Sequence, residues 1–471
     1  MKRSSLFKWA ILALIVVLVT GCGGAVPTEP KEVPTEVEEV VPTEETVEEA
    51  FDWRQAEGQT VRLLLSAHPW QAALEEKIPE FEELTGIKVE VNTLAEMTFW
   101  DRVTLGLSSE EPPFDLFMLS PNQTGYTGYQ NNWIAALDDF IADPKLTNPD
   151  YDFTDIYPDT VDGFRFPDTS GKIYGIPIAL EAYIIYYRTD LFEEQGIDVS
   201  KLETMDDWMA ALDTIDKAYK DKGIAAVALR GQDPTMPDEL LSAVYDYWGD
   251  RPFMPGRMFY FDENWEPRFT DPAIVKGFNT WAHLLTLGPP GVENFTWYEV
   301  LNSFAQGQSA TIFFDATTFG GTINDPEQSK VVGKVGYSPL PKTDTGHGTT
   351  HWGWGFSMAE KSPAKVAAWL FMQWATSKDL DIHTGKATYG PVRASSWNKL
   401  SADFFSPEFV KAADESFKMS IPGYMYFNGA REVSDRIIDA VIRISTGDDS
   451  ATVMEELNQQ AKDIVEKEGL K

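Results

Sequence analysis

The segment that decides the fold reads GKIYGIPIALEAYIIYYRTDLF and covers residues 171–192. Its part from Ile173 to Tyr187 is predicted to be extended before a helix begins near Asp190. At about 3.3 Å per residue, these fifteen residues would span about 50 Å as a strand, more than one sheet normally requires. The segment is therefore predicted to cross from one lobe of the protein to another.

Strands and helices alternate before this segment. Val61–Leu65 is an apolar run typical of a buried strand, and Leu74 to Leu84 shows helical spacing before Gly86 ends the helix. Further strands are predicted at Ile87–Val91 and Phe114–Leu119. This alternation indicates largely parallel sheets that bind ligands outside their carboxyl edges. Later helices are predicted at Met205–Tyr219, Pro272–Leu287, Pro363–Ser377 and Val433–Ser445.

The N-terminus has the pattern of a secretion signal over residues 1–21. Lys2, Arg3 and Lys8 precede an apolar run from Trp9 to Val19, about half of the ~20 residues that a membrane-spanning helix needs. The run ends at VTGC, which resembles the bacterial lipobox and makes Cys22 the predicted lipid-attachment residue. An ordinary secretory signal with an accidental cysteine is the alternative. Because Cys22 is the single cysteine, no disulfide can form within the chain.

The composition separates a tether from a body. Residues 22–52 are rich in proline and glutamate and are predicted to be a disordered, semi-rigid tether. The body that follows is longer than one hydrophobic core usually supports, so two lobes are expected. A net charge of −35 argues against nucleic acid as a partner, since that requires clustered Lys and Arg. The acidity either discriminates against anionic ligands or is a solvated surface without a specific role.

Several stretches of the body resemble the extracellular solute-binding proteins that serve sugar importers, the family that includes maltose-binding protein. The stretches, in an order and spacing typical of that family, are Phe81–Val89, Gly171–Phe192, Phe304–Thr311, Val335–Pro341 and Ala364–Ser377. The resemblance implies a monomeric receptor without catalysis, metal or cofactor, which closes on a mono- or oligosaccharide or a polyol. Its other partners would be the subunits of an ABC permease and, through the lipid, the cell membrane. The location would be extracytoplasmic, on the periplasmic face or outer surface of that membrane.

The same resemblance implies the fold class. This is an α/β, two-lobed periplasmic-binding-protein fold, in which each lobe is a mostly parallel sheet flanked by helices and a multi-segment hinge joins the lobes. The N-terminal lobe is expected to comprise residues 53–178 and 334–402, and the C-terminal lobe residues 179–333 and 403–471.

The candidate ligand-binding residues come from this resemblance and from their place after strands. Glu181 matches a family glutamate that accepts hydrogen bonds from sugar hydroxyls, although a surface salt bridge is the alternative. Trp352 and Trp354 flank Gly353 and suit stacking on a sugar face, with core packing as the alternative. The remaining candidates are His68, Trp70, Asn122, Gln123, Glu239, Asp315, Arg393 and Arg431. At the first four of these, loop packing or a turn is the alternative. Arg431 stands where maltose-type members carry an aromatic residue, which argues against oligosaccharide stacking and leaves room for a monosaccharide, a polyol or an acidic sugar.

The competing interpretation is a surface-anchored glycan-binding protein or glycoside hydrolase. A retaining glycosidase needs two carboxylates about 5 to 5.5 Å apart, and so acidic a chain could supply them. The sequence has no G-x-S-x-G, H-E-x-x-H or C-x-x-C motif. His347 and His351 could bind a metal from a helix, but Gly346 and Gly348 favour a loop there. A structural adhesin, with neither cleft nor small ligand, is the third interpretation.

Overall fold

The computed structural model describes residues 50–249, 251, 256–423 and 425–471. The predicted signal segment 1–21, the lipid-attachment residue Cys22 and most of the tether lie outside these residues. Among the described residues, no helix is both long and apolar enough to cross a bilayer.

The sheets determine where the site forms. The described residues contain eleven strands: β1 Thr60–Ser66, β2 Lys88–Leu94, β3 Leu116–Leu119, β4 Arg165–Phe166, β5 Lys172–Ile173, β6 Ile176–Arg188, β7 Ala225–Ala228, β8 Ser309–Ala316, β9 Val335–Ser338, β10 Thr349–Met358 and β11 Ser420–Pro422. Nine of them form one sheet in the order β2-β1-β3-β10-β6-β8-β7, in which β11 also pairs with β10 and β9 with β6. The strands β4 and β5 pair separately.

The strand β6 joins the two parts of this sheet. Its residues from Ile176 to Ala182 pair with β10, while those from Tyr183 onward pair with β8 and β9. We refer to β2, β1, β3 and β10 as the first half-sheet, and to β7, β8 and β9 as the second half-sheet. The two-lobed α/β architecture with a crossing strand is thus confirmed, whereas the exact lobe boundaries remain a prediction.

The sheet is mixed because the crossing strands oppose their neighbours. Strand β1 runs parallel to β2 and β3, and β7 runs parallel to β8, as the alternating sequence predicts. Strand β10 is antiparallel to β3 and β6, and β6 is antiparallel to β8. Repeated strand–helix–strand units produce parallel neighbours, but a strand that crosses between the two halves is not part of such a unit. The alternation of strands and helices in the sequence therefore does not predict the directions of β6 and β10.

The helices cover both faces of the sheet. Those in the described residues are α1 Pro69–Glu75, α2 Ile78–Thr85, α3 Glu96–Leu107, α4 Tyr126–Gln130, α5 Asp138–Ala142, α6 Pro158–Asp162, α7 Thr189–Glu194, α8 Met205–Tyr219, α9 Met236–Trp248, α10 Pro272–Thr286, α11 Trp297–Ala305, α12 Phe319–Ile323, α13 Lys365–Ala375, α14 Lys378–Thr388, α15 Ala394–Asp403, α16 Pro407–Met419, α17 Ala430–Ser445 and α18 Ser450–Lys467. The predicted bounds of α8 agree with these. The single helix predicted around Leu74–Leu84 is instead two helices, because Pro79 lacks an N–H and fits only in the first turn of a new helix.

Candidate functional site

A small cavity lies where the two half-sheets meet, beside the middle of β6. Its volume is about 30 Å³, and it is lined by His68, Glu96, Glu181, Arg230, Thr235, Glu239, Trp297, Thr318, Phe319, Trp352 and Trp354. These residues follow β1 and β7, lie on β6 and β10, or stand at or near the N-termini of α3, α9, α11 and α12. Both halves of the protein therefore contribute to one polar and aromatic site.

A hydrogen-bonded pair lies at the centre of one wall. His68 Nε2 is 3.2 Å from Glu181 Oε1, and both side chains are buried. His68 Nδ1 accepts a hydrogen bond from the backbone N–H of Trp70 at 3.1 Å, so the proton of the neutral ring is on Nε2. The histidine thus donates to Glu181 and leaves the other carboxylate lone pairs available to hydroxyl donors.

Indole rings form the adjacent wall. Trp352 lies directly across the strand pair from Glu181, and Trp354 is two residues further along the same face of β10. The ring of Trp354 stacks on Trp100 with a centroid separation of 5.2 Å and an interplanar angle of 7°. Packing from behind fixes the Trp354 plane, as a platform for the apolar face of a polyhydroxylated ligand requires.

Arg230 organises the second half of the cavity. Its guanidinium bonds Asp315 through two nitrogens, at 2.6 and 3.1 Å, and lies 2.9 Å from Glu239 Oε1. Asp233 is a more distant partner, at 3.8 Å. Burial alone would lower the pKa of Arg230, but these carboxylates raise it well above its ordinary value, so the arginine remains charged. Within the described residues no group of acidic or histidine side chains is arranged to hold a metal ion.

Two polar atoms of the cavity residues have no partner among the described residues. They are Glu239 Oε2 and Thr318 Oγ1, on side chains that are 2% and 5% exposed. Burial raises the pKa of Glu239 well above its usual range, although the charge of Arg230 opposes this rise. Unsatisfied buried polar atoms are unfavourable in an empty protein interior, so both atoms suit a ligand that brings hydrogen bonds.

A hydrogen bond joins the two halves at the mouth of the cavity. Glu96 Oε2 accepts from Trp297 Nε1 at 2.8 Å, linking α3, which packs on β1, to α11, which packs on β7 and β8. Glu96 is only partly buried, yet desolvation of its carboxyl group, with the nearby charge of Asp233, raises its pKa to about 7. Moving the halves apart would break this bond and expose the carboxyl group to water.

This geometry predicts that binding of a neutral ligand is linked to proton uptake. In the closed form Glu96 has a raised pKa of about 7, whereas an opened, solvated carboxyl group would have one near 4.3. The contribution of Glu96 to closure is then fully present below the pKa of the solvated carboxyl group and is lost as the pH rises toward 7. The affinity for the ligand should fall by up to about tenfold per pH unit over this range. Calorimetric titration of a neutral polyol from about pH 5 to about pH 7.5 measures the effect. Glu96→Gln, which keeps the acceptor for Trp297, should flatten this dependence; an equally steep profile in the variant would exclude Glu96 as its source.

The cavity brings together five of the residues singled out from the sequence. His68, Glu181, Glu239, Trp352 and Trp354 all line it. Asp315 stands directly behind, where its carboxylate orients Arg230. The ligand-binding role of these residues remains a prediction, but their proximity satisfies its geometric requirement.

The other candidates lie away from the cavity wall. Trp70 is 1% exposed and packs on Phe356 in the core, because its ring follows the buried face of α1. Arg393 is wholly buried, and its guanidinium donates to the carbonyl oxygens of Tyr151, Asp152 and Thr376. Arg393 is thus engaged with backbone groups in the interior rather than with the cleft.

Asn122, Gln123 and Arg431 instead connect the two halves beside the cavity. Asn122 donates to Asp238 Oδ2 at 3.1 Å, and Arg431 donates to Gln123 Oε1 at 3.1 Å. Asn122 and Gln123 follow β3 in the first half-sheet, while Asp238 is on α9 and Arg431 on α17. In this closed arrangement their contacts are with protein groups across the cleft.

Several cavity residues escape sequence reasoning. Arg230 directly follows the apolar strand β7, so the rule that selects polar residues after strands could have found it. Glu96 and Trp297 are the first residues of two helices that are far apart in sequence, and no local pattern distinguishes them from ordinary helix starts. Thr318 and Phe319 follow β8 closely and lie beyond the one residue selected there, Asp315.

Comparison with known proteins places the chain in a sequence family. A family model described as bacterial extracellular solute-binding protein matches residues 67–381. The erythritol/L-threitol-binding protein of Mycolicibacterium smegmatis is 27% identical over 434 residues, with 86% of each chain covered. The mannitol-binding protein of Pseudomonas aeruginosa is 28% identical over 342 residues, covering 70% of this chain and 72% of that protein.

The fold is also shared with solved structures. An ABC transporter solute-binding protein from Agrobacterium vitis, crystallised with bound D-mannitol, matches with a TM-score of 0.72 at 24% identity. The match covers 87% of this chain and 99% of that structure. At this level of identity the likeness establishes the common architecture.

Proposed function

The chain belongs to the bacterial extracellular solute-binding protein family, and on this premise we propose that it captures a small polyol or monosaccharide for an ABC importer. The observation that carries the proposal is the cavity in which carboxylates, one arginine and three indole rings converge from both halves of the protein. Carboxylates accept strongly from hydroxyl groups, and the indole faces suit the C–H groups of the same ligand.

The relatives of the chain favour a short ligand. Those described as binding erythritol, L-threitol and mannitol take linear polyols of four and six carbons. The cavity itself, with a volume of about 30 Å³, has room for only about two water molecules, so it has to widen for any polyol or sugar. The carboxyl groups of the cavity, three of which share its one arginine, also disfavour sugar acids, which the sequence alone left open.

The mechanism is closure about the crossing strands without chemical change to the ligand. A ligand that contacts Glu181 on β6, Arg230 after β7 and Trp354 on β10 binds the closed form more tightly than the open one. Its differential affinity therefore shifts the population toward closure. The contacts Glu96–Trp297 and Asn122–Asp238 would form at the same time and stabilise the state that the permease recognises.

Delivery requires the protein to remain near its transporter. Family membership agrees with a location outside the cytoplasm. We assign the anchor to a lipid on Cys22, followed by the proline-rich segment as a tether. Metabolic labelling with a fatty acid should mark the wild-type chain but not Cys22→Ser; equal labelling of both would exclude this anchor.

Thermal-shift measurements with a set of neutral ligands test the proposed function. Erythritol, L-threitol, ribitol, mannitol, sorbitol and simple hexoses are compared with maltotriose as an oligosaccharide control. A true ligand at a hundredfold excess over Kd should stabilise the fold by about 2.7 kcal/mol. Stabilisation by a short polyol or monosaccharide is expected. Stabilisation by maltotriose alone, or hydrolysis of a chromogenic glycoside, would contradict the proposal.

A further inference from the structure

The cavity holds more carboxyl groups than a neutral ligand requires. Its titratable groups come from every element around it: His68 before α1, Glu96 on α3, Glu181 and Tyr183 on β6, Arg230 and Asp233 after β7, Asp238 and Glu239 on α9 and Asp315 on β8. Against six carboxyl groups stands one arginine, because His68 donates to Glu181 through Nε2 as a neutral ring. Among the described residues, no second lysine or arginine lines the cavity.

The arginine of the cavity already contacts other side chains through all three of its nitrogens. Two of its nitrogens hold Asp315, and the third bonds Glu239 Oε1 and Thr235 Oγ1. Among the described residues that line the cavity, no lysine or arginine forms a salt bridge with Glu96 or Glu181. Buried carboxylates without a counter-charge take up protons or attract a cation.

One carboxylate oxygen is also left without a hydrogen bond. Glu239 Oε2 has no partner among the described residues, and its side chain is 2% exposed on the cavity wall. A hydroxyl group would satisfy one lone pair but add no positive charge, and Glu239 shares its one cationic partner, Arg230, with Asp315 and Asp233. An ammonium group brings three N–H donors and a full positive charge into the same space.

The aromatic lining is compatible with a cation. Trp297, Phe319, Trp352 and Trp354 line the same cavity as the carboxylates. Ring faces attract an ammonium and its neighbouring CH2 groups, an interaction that strengthens when water is excluded. The cavity thus combines uncompensated carboxylates with aromatic faces.

We propose that the cleft prefers a short polyol or sugar that carries one protonated amine, with the ammonium group held among Glu96, Glu181 and Glu239. This inference rests on the proposed function and narrows its ligand class from neutral to amino-substituted polyhydroxylated molecules. The neighbouring hydroxyls would then bond Arg230-linked carboxylates and Thr318, and the carbon chain would lie on Trp354.

Ligands matched in shape and different in charge test the inference. Sorbitol, glucamine and gluconate share six carbons and end in a hydroxyl, an ammonium and a carboxylate group, respectively. Erythritol and its analogue with one terminal amine form a four-carbon pair. Calorimetry is carried out on the full-length protein in detergent near pH 7. For the chain length that binds, the amine should have a Kd at least about tenfold lower than the neutral polyol of the same length, and gluconate should not bind.

The pH dependence provides an independent readout. An ammonium group favours the ionised carboxylates, so its binding releases protons, whereas closure on a neutral polyol takes them up. The preference for the amine over the neutral polyol should therefore grow between about pH 6 and about pH 8, where the alkylamine stays protonated. A preference that is constant or shrinks over this range contradicts the inference.

Glu239→Gln provides the matched variant, since it keeps the shape and removes the charge. It should reduce the preference for the amine by about tenfold, while Glu456→Gln, at an exposed carboxylate, should not change it. If neutral polyols bind as tightly as the amines, this inference fails and the proposed function stands. If no member of either series binds, both fail.

Discussion

Replacing Arg230 with methionine is expected to lower the free energy of unfolding by about 3 to 5 kcal/mol. The guanidinium is 5% exposed and compensates Asp315, Glu239 and, at longer range, Asp233. Without it, these buried carboxylates lose their counter-charge and must be protonated or left unpaired. Denaturant unfolding of the variant and the wild type, monitored by tryptophan fluorescence, measures the difference.

The pH dependence of this loss identifies its cause. Burial already raises the pKa values of Glu239 and Asp315, and removing the arginine raises them further. Carboxyl groups with a raised folded-state pKa stabilise the protein at low pH and lose this contribution as the pH rises. The difference in the free energy of unfolding between the wild type and Arg230→Met should therefore become smaller toward pH 4. Arg443→Met is the matched control, an arginine with two carboxylate partners at the exposed surface, and should change stability little. Equal losses in both variants would show that the buried cluster has no special role.

Replacing Glu181 with alanine is expected to weaken ligand binding by about 2 to 5 kcal/mol, or about 30-fold and more in Kd. The change removes an acceptor from the cavity wall and leaves the Nε2–H of His68 without its partner at 3.2 Å. Glu181 lies on β6 between the two half-sheets, so its loss acts where the ligand has to contact both. Calorimetric titration with the tightest polyol or amino polyol gives the ratio of Kd values.

Two further variants separate binding from folding in this experiment. Glu181→Gln retains an acceptor for His68 and should recover part of the affinity. Glu203→Ala removes a carboxylate whose partner, Lys342, is also largely exposed, and should bind like the wild type. If Glu181→Ala bound the ligand as tightly as the wild type, Glu181 would not be a ligand-binding residue.

Much of the fold follows from periodicity. The long crossing strand is visible as fifteen residues of extended character, and the structure places twelve of these fifteen in β6. The direction of β10 relative to β3 is not visible, because side-chain alternation is the same in parallel and antiparallel strands. Nor is the break between α1 and α2, where apolar spacing continues across the start of a new helix at Ile78.

The site could be predicted only where its residues follow strands or match a known stretch. The sequence identifies His68, Glu181 and Asp315 in this way, since a strand end determines where the next side chains lie. Glu96 and Trp297 meet through tertiary packing of two helices across the cleft, which sequence spacing does not encode. Arg393 shows the converse error, because a basic residue expected at the cleft binds backbone carbonyls in the interior.

A distance measured across the cleft tests most directly whether the two halves close on a ligand. The single cysteine is Cys22, so in Cys22→Ser the substitutions Glu90→Cys and Asp221→Cys introduce two exposed labelling sites, the first within β2 and the second shortly before β7. Pulsed electron-spin measurements on the doubly labelled protein should show a broad distance distribution that shortens and narrows when a saturating short polyol or amino polyol is added, and remains broad with Glu181→Ala at the same ligand concentration. An identical distribution with and without a ligand that calorimetry shows to be bound would contradict closure.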